Sequence, residues 1–338
     1  MIAQKVKQKR RLSLMVTGLI LIASMIVSLT TGEFPITLRQ IGESIIGQGN
    51  PANQLVLFEF RIPRLIVTLC AGVALSLSGA ILQSVTRNGL AEPGILGINA
   101  GSGFAIALFI AIGRINAEDF VYMLPIVSLF GGLVVMLFIF YFSYEGEKGL
   151  SPTSMVLVGV GLSAALSGGA LTLISSFDRS QSEFISTWFA GNIWGDTWPF
   201  VYAFVPWLVI VIPIVLCKSE LLNILNTSDS IALGLGVSLK RERLFLVFIA
   251  VLLSSVAVSI VGAIGFIGLM APHIARTMIG PRHQSFLPLA MMIGGVLLVV
   301  SDTIGQNLVQ PNGLPAGIVV AIIGAPYFLY LMYKVRGV

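Results

Sequence analysis

The sequence predicts an all-α integral membrane protein with about ten transmembrane helices. Of its 338 residues, 56% are hydrophobic and 10% are charged, and the mean hydropathy is +0.95. Soluble domains carry about 25% charged residues, so this composition is typical of a chain that lies in a lipid bilayer. Uncharged runs of helical length recur along the whole chain, and the basic residues fall mainly between these runs.

The first predicted span is the uncharged run Leu12–Gly32, which follows a basic leader at residues 1–11. This order resembles a secretory signal peptide in outline. The apolar run is, however, longer than the roughly 7–15 residues of a signal-peptide core, and Ser28-Leu29-Thr30-Thr31 is a poor cleavage site. We therefore interpret the run as a span whose leader stays in the cytoplasm.

Spans two to six are further apolar runs separated by short polar segments. The predicted runs are Leu65–Thr86, Gly94–Gly113, Phe120–Tyr144, Gly149–Phe177 and Phe200–Cys217. The mixed segment Glu33–Phe60 and the tryptophan-containing segment Asp178–Trp198 are predicted to lie outside, because indoles favour membrane interfaces. The loop Arg87–Pro93 is predicted to lie at the inner face.

The most informative stretch of the chain is Gly262–Gly280. The uncharged run Leu244–Ala275 corresponds to roughly 48 Å of helix, whereas a hydrocarbon core is about 30 Å thick. The run is also interrupted by residues that favour a bend or a break, namely Gly262, Gly265, Gly268 and Pro272. We therefore expect the chain to cross, turn near these glycines and return as a tight pair of short helices, spans seven and eight.

The last two predicted spans are Phe286–Val300 and Pro315–Tyr333. With ten spans, both termini are predicted to lie in the cytoplasm. The positive-inside rule supports this topology, because 15 of the 20 basic residues fall on the predicted inner segments. The five predicted outer basic residues are Arg39, Arg61, Arg64, Arg114 and Arg179.

Small residues recur at helical spacing inside the predicted spans. Gly159, Ser163 and Ser167 step by four residues in span five. This spacing is typical of close helix packing, and it would also suit the smooth wall of a wide pathway. The two roles are compatible.

Asp302 is the acidic residue predicted at membrane depth, near the outer end of span nine. An ionisable group at that depth is a functional candidate, although a capping or interfacial role would also suit it. No Asp, Glu or Lys falls at the middle of a predicted span, which disfavours an ion-coupled carrier. A weak Gly-Leu-x-x-Pro echo relates Gly89–Pro93 to Gly268–Pro272, which the predicted topology puts on opposite faces.

The sequence lacks the motifs of known catalytic and metal sites. His273 and His283, the second in a predicted loop, have no neighbours at ligand spacing, so we interpret both as structural. The chain contains no Walker motif, so ATP-driven transport would need an ATPase on another chain. The basic residues are scattered and form no stripe for nucleic acid. We expect no cofactor, no metal and no enzyme activity.

The longest polar stretch of the second half is residues 218–243, which we predict to be cytoplasmic. Leu221–Leu225 and Ile231–Gly236 are predicted as two short helices, the second capped by Ser228 or Asp229. An exposed element of this kind is a candidate docking surface for a partner protein. An amphipathic helix in the membrane interface is the alternative.

Five motifs in this sequence resemble those of the FecCD permeases, in order and spacing from about Arg61 to the C-terminus. They are Arg61-Ile62-Pro63-Arg64, Gly79-Ala80-Ile81-Leu82-Gln83, Arg87–Gly97, Gly262–Arg276 and Gly324-Ala325-Pro326. This family supplies the membrane subunits of type II ABC importers for iron–siderophores, haem and vitamin B12. The resemblance implies a single permease domain over residues 1–338, with a BtuC-like permease fold, in the cell membrane.

The resemblance further implies an iron–siderophore importer driven by ATP. The expected partners are a second permease subunit, identical or homologous, a dimer of cytoplasmic ATPases, an extracytoplasmic binding protein and the membrane lipids. A cobalamin or haem importer permease is the alternative within the family. A secondary, ion-coupled carrier is the alternative from another class.

The resemblance also assigns roles to individual residues. The family's ATPase-coupling helices align with a set that comprises Asn223, Ser228, Asp229, Ala232, Leu235 and Gly236, with Ser228 standing where a glycine is usual. Arg61 and Arg64 align with outer arginines that meet carboxylates of the binding protein. Gln306 and Gly313 replace the family's usual Arg and Glu, so docking is expected to depend more on Arg61 and Arg64. The glycines of the Gly262–Gly280 stretch are the expected joint that carries ATPase motion into the pathway.

Overall fold

A computed structural model describes residues 2–112, 117–144, 151–309 and 313–336. These ranges exclude three residues that the predicted topology names, Gly113, Arg114 and Gly149. Apart from one π-helical turn, the helices are, in chain order, α1 (Ile2–Thr30), α2 (Leu38–Ile45), α3 (Pro51–Leu55), α4 (Ile62–Thr86), α5 (Ile98–Ile112), α6 (Ala117–Ser143), α7 (Pro152–Ile174), α8 (Arg179–Phe189), α9 (Trp198–Cys217), α10 (Ser219–Leu225), α11 (Asp229–Gly234), α12 (Leu239–Val261), α13 (Ile267–Ile279), α14 (His283–Leu308) and α15 (Ala316–Arg336). The predicted all-α class is confirmed.

Within the described ranges, eight helical segments are long and apolar enough to cross a membrane. They are α1, the continuous helix that ends with α4, and α6, α7, α9, α12, α14 and α15. Two shorter helices, α5 with 15 residues and α13 with 13, bring the set to ten. At 1.5 Å per residue neither short helix is long enough to cross a hydrocarbon core of about 30 Å. The predicted set of about ten membrane helices is confirmed, and it consists of eight long helices and two short ones.

The helix that ends with α4 begins earlier than the sequence predicts. The chain is helical from Pro51 to Thr86, with a π-helical turn over Val56–Arg61. The side chain of Asn50 accepts a hydrogen bond from the N–H of Ala52, and Pro51 occupies the first turn, where its missing N–H costs nothing. The predicted outer segment Glu33–Phe60 is therefore largely helical. Arg64 lies inside a helix and not in a loop.

The core of the protein is built on α4, with α12 and α14 packed against it. α14 runs antiparallel to α4, because His283 contacts Ser84 at one end and Asp302 pairs with Arg64 at the other. Between these points Gly72 faces the backbone of Gly294, with no room for a Cβ on either residue. Small residues thus allow the two helix backbones to approach closely.

The break after α12 is present, but the two helices it joins are not the expected short pair. α12 has 23 residues and α13 has 13. Gly262, with φ of 76°, ends α12, and Phe266, with φ of 64°, precedes α13. α13 then packs mainly on α4 and α14. The tight pair of short helices is therefore corrected to one long helix and one short helix that packs elsewhere.

The two Gly-Leu-x-x-Pro segments meet inside the bundle. Gly268 lies against Pro93, and each segment lies beside the start of a short helix, α5 or α13. The predicted placement on opposite faces is wrong, because the connection after α4 folds back between the helices instead of remaining at the inner surface. The final helices also differ: α14 extends beyond the predicted Phe286–Val300, and His283 begins it.

Replacing Gly79 by alanine is expected to destabilise the protein by about 1–3 kcal/mol, because the new Cβ would overlap the backbone of Gly268. Thermal unfolding of the purified protein in detergent measures this change. Gly265→Ala is the matched control, since its Cβ would meet only a Glu92 oxygen at 3.8 Å. Equal melting temperatures for the two variants would show that the close approach of α4 and α13 does not limit stability.

Candidate coupling, hinge and outer sites

The polar stretch at residues 218–243 contains two short helices, α10 and α11, close to their predicted positions. Ser228 occupies the N-cap position of α11, but its hydroxyl lies 3.1 Å from that of Ser230 and makes no capping bond. Of the predicted coupling residues, Ser228, Leu235 and Gly236 are exposed, while Ala232 is fully buried. The segment thus has an outward side and an inward side.

The outward side of α11 is apolar. Ile231, Leu233 and Leu235 are 54%, 59% and 63% exposed. An apolar patch bordered by the polar residues of the same segment is typical of a protein contact surface. The prediction of a docking element is consistent with this surface.

The inward side of α11 is held by Asp229. Its Oδ1 lies 2.6 Å from Nη2 of Arg243, and its Oδ2 lies 3.3 Å from Nη1 of the same residue. The carboxylate also pairs with Arg87, whose Nε donates to the carbonyl of Leu225 at 3.1 Å. Since Arg87 follows α4 and Arg243 belongs to α12, one carboxylate connects the segment to two core helices.

A second connection runs from α10 through Asn223. Its Oδ1 accepts a hydrogen bond from the backbone N–H of His283 at 2.9 Å and lies 2.7 Å from Nδ1 of that ring. Nε2 of His283 lies 2.6 Å from the hydroxyl of Ser84 on α4. The histidine is fully buried. The segment is thereby attached to α14 and α4 as well, through a residue that sequence reasoning placed in a loop.

The break between α12 and α13 is held by hydrogen bonds from three sides. The N–H of Ala263 donates to the carbonyl of Trp188 at 3.1 Å, and Nδ2 of Asn99 donates to the carbonyl of Ile264 at 3.2 Å. Oε2 of Glu92 accepts from the N–H of Phe266 at 2.9 Å. Glu92 is 5% exposed, so its predicted place in an inner surface loop is corrected.

The four residues predicted as hinge positions occupy different environments. Gly262 has a positive φ and faces the carbonyl of Trp188, so two constraints require glycine there. Gly268 is confined between α4 and Pro93, while Gly265 has room for a side chain. Pro272 lies inside α13. Gly262 and Gly265 thus lie in the break, and Gly268 and Pro272 lie in the helix that follows it. Of the three glycines, Gly262 and Gly268 are sterically restricted.

Glu92 is expected to make stability depend on pH. Burial raises its pKa from the ordinary 4.5 to about 7, against the opposing hydrogen bond from Phe266. Between these pH values the folded protein binds more protons than the unfolded chain, so the free energy of unfolding falls as pH rises from about 4.5 to 7. The loss is on the order of 3 kcal/mol.

Glu92→Gln cannot titrate, so its melting temperature relative to the unmodified protein should rise between pH 5 and pH 8. Glu43→Gln is the control, because Glu43 lies on an exposed helix and pairs with Arg39. A constant difference between Glu92→Gln and the unmodified protein across this range would contradict the buried-carboxyl interpretation.

Some small residues of α7 pack against neighbouring segments, and others are exposed. Gly159 lies against the backbone of Leu96, and Ser163 lies beside Gly97, so these two predicted positions serve close packing. Ser167 is half-buried. A separate stripe of the helix faces outward, comprising Leu157, Val160, Gly161, Gly168 and Leu171.

At the other end of α4, Arg64 and Asp302 form a bidentate ion pair. Nη2 lies 2.8 Å from Oδ1, and Nε lies 3.1 Å from Oδ2. Gln306 donates to Oδ2 at 2.6 Å, and Asp302 is 4% exposed. Arg64 therefore pairs with a carboxylate of its own chain, and its contact with a binding protein stays a prediction.

Arg61 likewise contacts its own chain, since it donates to the carbonyls of Leu29 and Phe34. A cavity of about 370 Å³ opens beside both arginines, and Glu33, Asp196 and Gln306 also line it. Burial raises the pKa of Asp196, and Arg64 opposes that shift. The end of the bundle that is predicted to be outer therefore presents a polar cavity, beside two arginines that each contact their own chain.

Comparison with known proteins relates the whole chain to membrane transport subunits. A family profile for the FecCD transport family matches residues 20–334. The chain is 40% identical over 337 residues to the iron(3+)-hydroxamate import system permease protein FhuG of Bacillus subtilis, covering 98% of this chain and 99% of that one. It is 32% identical over 313 residues to the Fe(3+) dicitrate transport system permease protein FecD of Escherichia coli, covering 92% and 95%.

A solved structure of a metal-chelate type ABC transporter in an inward-facing conformation is also similar. Its TM-score is 0.82 at 30% sequence identity, and the match covers 95% of this chain and 98% of that chain.

Proposed function

Because the chain belongs to the FecCD transport family, we propose that it is the permease subunit of an ABC importer for ferric siderophores in the cell membrane. The observation that carries this proposal is the match over nearly the whole chain to permeases of ferric-chelate uptake. The relative at 40% identity imports iron(3+)-hydroxamate, so hydroxamate siderophores are the first substrates to test.

The proposed orientation puts α10, α11 and both termini on the cytoplasmic side. The excess of basic residues on the corresponding segments supports it. An ATPase subunit would then dock on the apolar side of α11, at Ile231, Leu233 and Leu235. The extracytoplasmic binding protein would dock at the other end, over the cavity beside Arg61. The outward stripe of α7 offers a second permease subunit an apolar surface with small residues, which suits close helix contact.

The proposed mechanism transmits ATPase motion through the contacts of the coupling segment. A movement of α11 pulls on Arg87 and Arg243 through Asp229, and a movement of α10 pulls on His283 through Asn223. The three core helices α4, α12 and α14 therefore receive the motion together. α12 carries it to the break at Gly262 and Gly265 and so to the start of α13, which contains Gly268 and Pro272. α4 carries it to the outer cavity.

The test is uptake by cells that express this permease with its ATPase and binding protein. Radioactive iron labels the ferric hydroxamate and haem, and radioactive cobalt labels cobalamin. We expect a ferric hydroxamate to enter only when the ATPase can hydrolyse ATP, with haem and cobalamin transported poorly. Uptake that persists with an inactive ATPase would identify an ion-coupled carrier. Efficient uptake of haem or cobalamin would show that the protein is a haem or cobalamin importer permease, the alternative within the family.

A further inference from the structure

A groove of about 630 Å³ opens on the side of the bundle between α6 and α12, beside the end of α9. Its walls are mainly apolar, and one polar group of residues lies at its end. The lining residues are Leu133, Met136, Leu137, Lys218, Arg241, Glu242, Leu244, Phe245 and Phe248. The groove is separate from the hinge, the outer cavity and the outward side of α11.

Polar and apolar residues are ordered along the helices that form the groove. Arg241 and Glu242 lie in the first turn of α12, and Lys218 directly follows α9. Phe248 lies seven residues beyond Arg241, roughly 10 Å further along the helix axis. On α6, the apolar residue Leu137 is 66% exposed. The groove is thus polar where these helices end and apolar towards the middle of the bundle, as the two parts of a phospholipid require.

The charges at the polar end favour an anion. Lys218 pairs with Glu242 at 3.0 Å and lies over the ring of Phe245, so these two charges compensate each other. Arg241 is exposed and, among the residues that the structure describes, forms no ion pair. Lys240 lies beside it, 5.2 Å from the ring of Tyr144. A guanidinium can bind a phosphate through two hydrogen bonds.

We propose that this groove binds one anionic phospholipid, with its phosphate on Arg241 and an acyl chain along Leu137 and Phe248. Basic pockets between helices at a membrane surface are suited to anionic head groups. A smaller void beside the groove shares Met136 and Leu244 with it, and its lining residues are all apolar. The bound lipid would fill the space between α6 and α12 at the end that carries α10 and α11.

Native mass spectrometry of the purified permease complex tests the head group. The probes are phosphatidylglycerol and phosphatidylcholine with identical acyl chains. We expect phosphatidylglycerol to bind roughly tenfold more tightly, and Arg241→Ala to remove that preference. Arg282→Ala is the matched control, since Arg282 is an exposed arginine that precedes α14. Equal binding of the two lipids to the unmodified protein would overturn the proposal. An equal loss of the preference for phosphatidylglycerol in Arg241→Ala and Arg282→Ala would also overturn it.

A photoreactive amino acid in place of Leu137 tests which molecule occupies the groove. Irradiation in membranes should yield an adduct with the mass of a phospholipid, and an adduct with a protein segment would instead identify a partner subunit and overturn the proposal. Glycerol phosphate, which lacks acyl chains, should not compete. Neither measurement uses transport, so a failure of the proposed substrate class would leave both results unaffected.

Discussion

Replacing Arg64 by alanine is expected to destabilise the protein by about 3–5 kcal/mol, because Asp302 would remain as a buried carboxylate without its ion-pair partner. The two side chains are 23% and 5% exposed, so water can replace little of the lost interaction. Thermal unfolding in detergent measures the effect directly. The amount of folded protein in the membrane should fall in parallel.

Arg39→Ala is the matched control for Arg64→Ala. Arg39 also pairs with a carboxylate, at 2.8 Å, but its side chain is 89% exposed. Its loss should change stability by no more than about 0.5 kcal/mol. Replacing Arg64 and Asp302 together by Met and Asn should recover part of the stability. An unchanged melting temperature for Arg64→Ala would show that the ion pair does not contribute to the fold.

The ion pair changes what a docking experiment can establish. If docking depends on Arg61 and Arg64, as the sequence predicts, reversing both charges would abolish uptake while the protein still inserts into the membrane. The structure instead predicts less folded protein, because a negative residue at position 64 would face Asp302. Only variants that retain normal folded amounts can report on contact with a binding protein.

The second large effect is expected at Asp229. Asp229→Asn should lower uptake at least about tenfold, because charge-assisted hydrogen bonds to two arginines are worth roughly 1.5–3 kcal/mol each. The variant should still dock its ATPase, since Ile231, Leu233 and Leu235 are unchanged. Uptake and ATP hydrolysis are measured together in proteoliposomes, where hydrolysis should continue without proportionate transport.

Glu220→Gln is the control for Asp229→Asn, because Glu220 is an exposed carboxylate at the start of α10 in the same segment. It should leave the ratio of uptake to hydrolysis unchanged. A parallel loss of uptake and hydrolysis in Asp229→Asn would indicate that Asp229 supports ATPase docking and does not transmit motion. Unchanged uptake by Asp229→Asn would show that Asp229 is not needed to transmit ATPase motion.

The helical class and the break near Gly262 could be predicted because both depend on local properties, namely apolar run length and glycine position. The two short helices of the coupling segment follow in the same way. The Arg64–Asp302 pair could not be predicted, because 238 residues separate its members and nothing local relates them. The helix that ends with α4 begins at Pro51, well before the predicted span Leu65–Thr86. The span was predicted from an uncharged run, and this helix also contains Glu59, Arg61 and Arg64.

The inward contacts of the coupling segment were missed for a related reason. The sequence uses Arg87 and Arg243 only as evidence for topology. Arg243 lies 14 residues from Asp229, but Arg87 is distant in the chain, so nothing local relates that pair. Glu92 was assigned to a surface loop on the general rule that connections lie at the surface. Here the connection is buried at Ala91–Pro93, and the carboxylate of Glu92 accepts a hydrogen bond from the backbone N–H of Phe266.

The glycine contacts of α4 have a mechanical consequence. At Gly72 and Gly79 this helix meets the backbones of α14 and α13, where rotation about its long axis would drive main-chain atoms together. Interlocked backbones of this kind resist rotation far more than side-chain contacts do, because a backbone cannot change rotamer. α4, α13 and α14 should therefore move as one rigid body. The relative motion that opens a passage must occur at surfaces without such contacts, such as the outward stripe of α7.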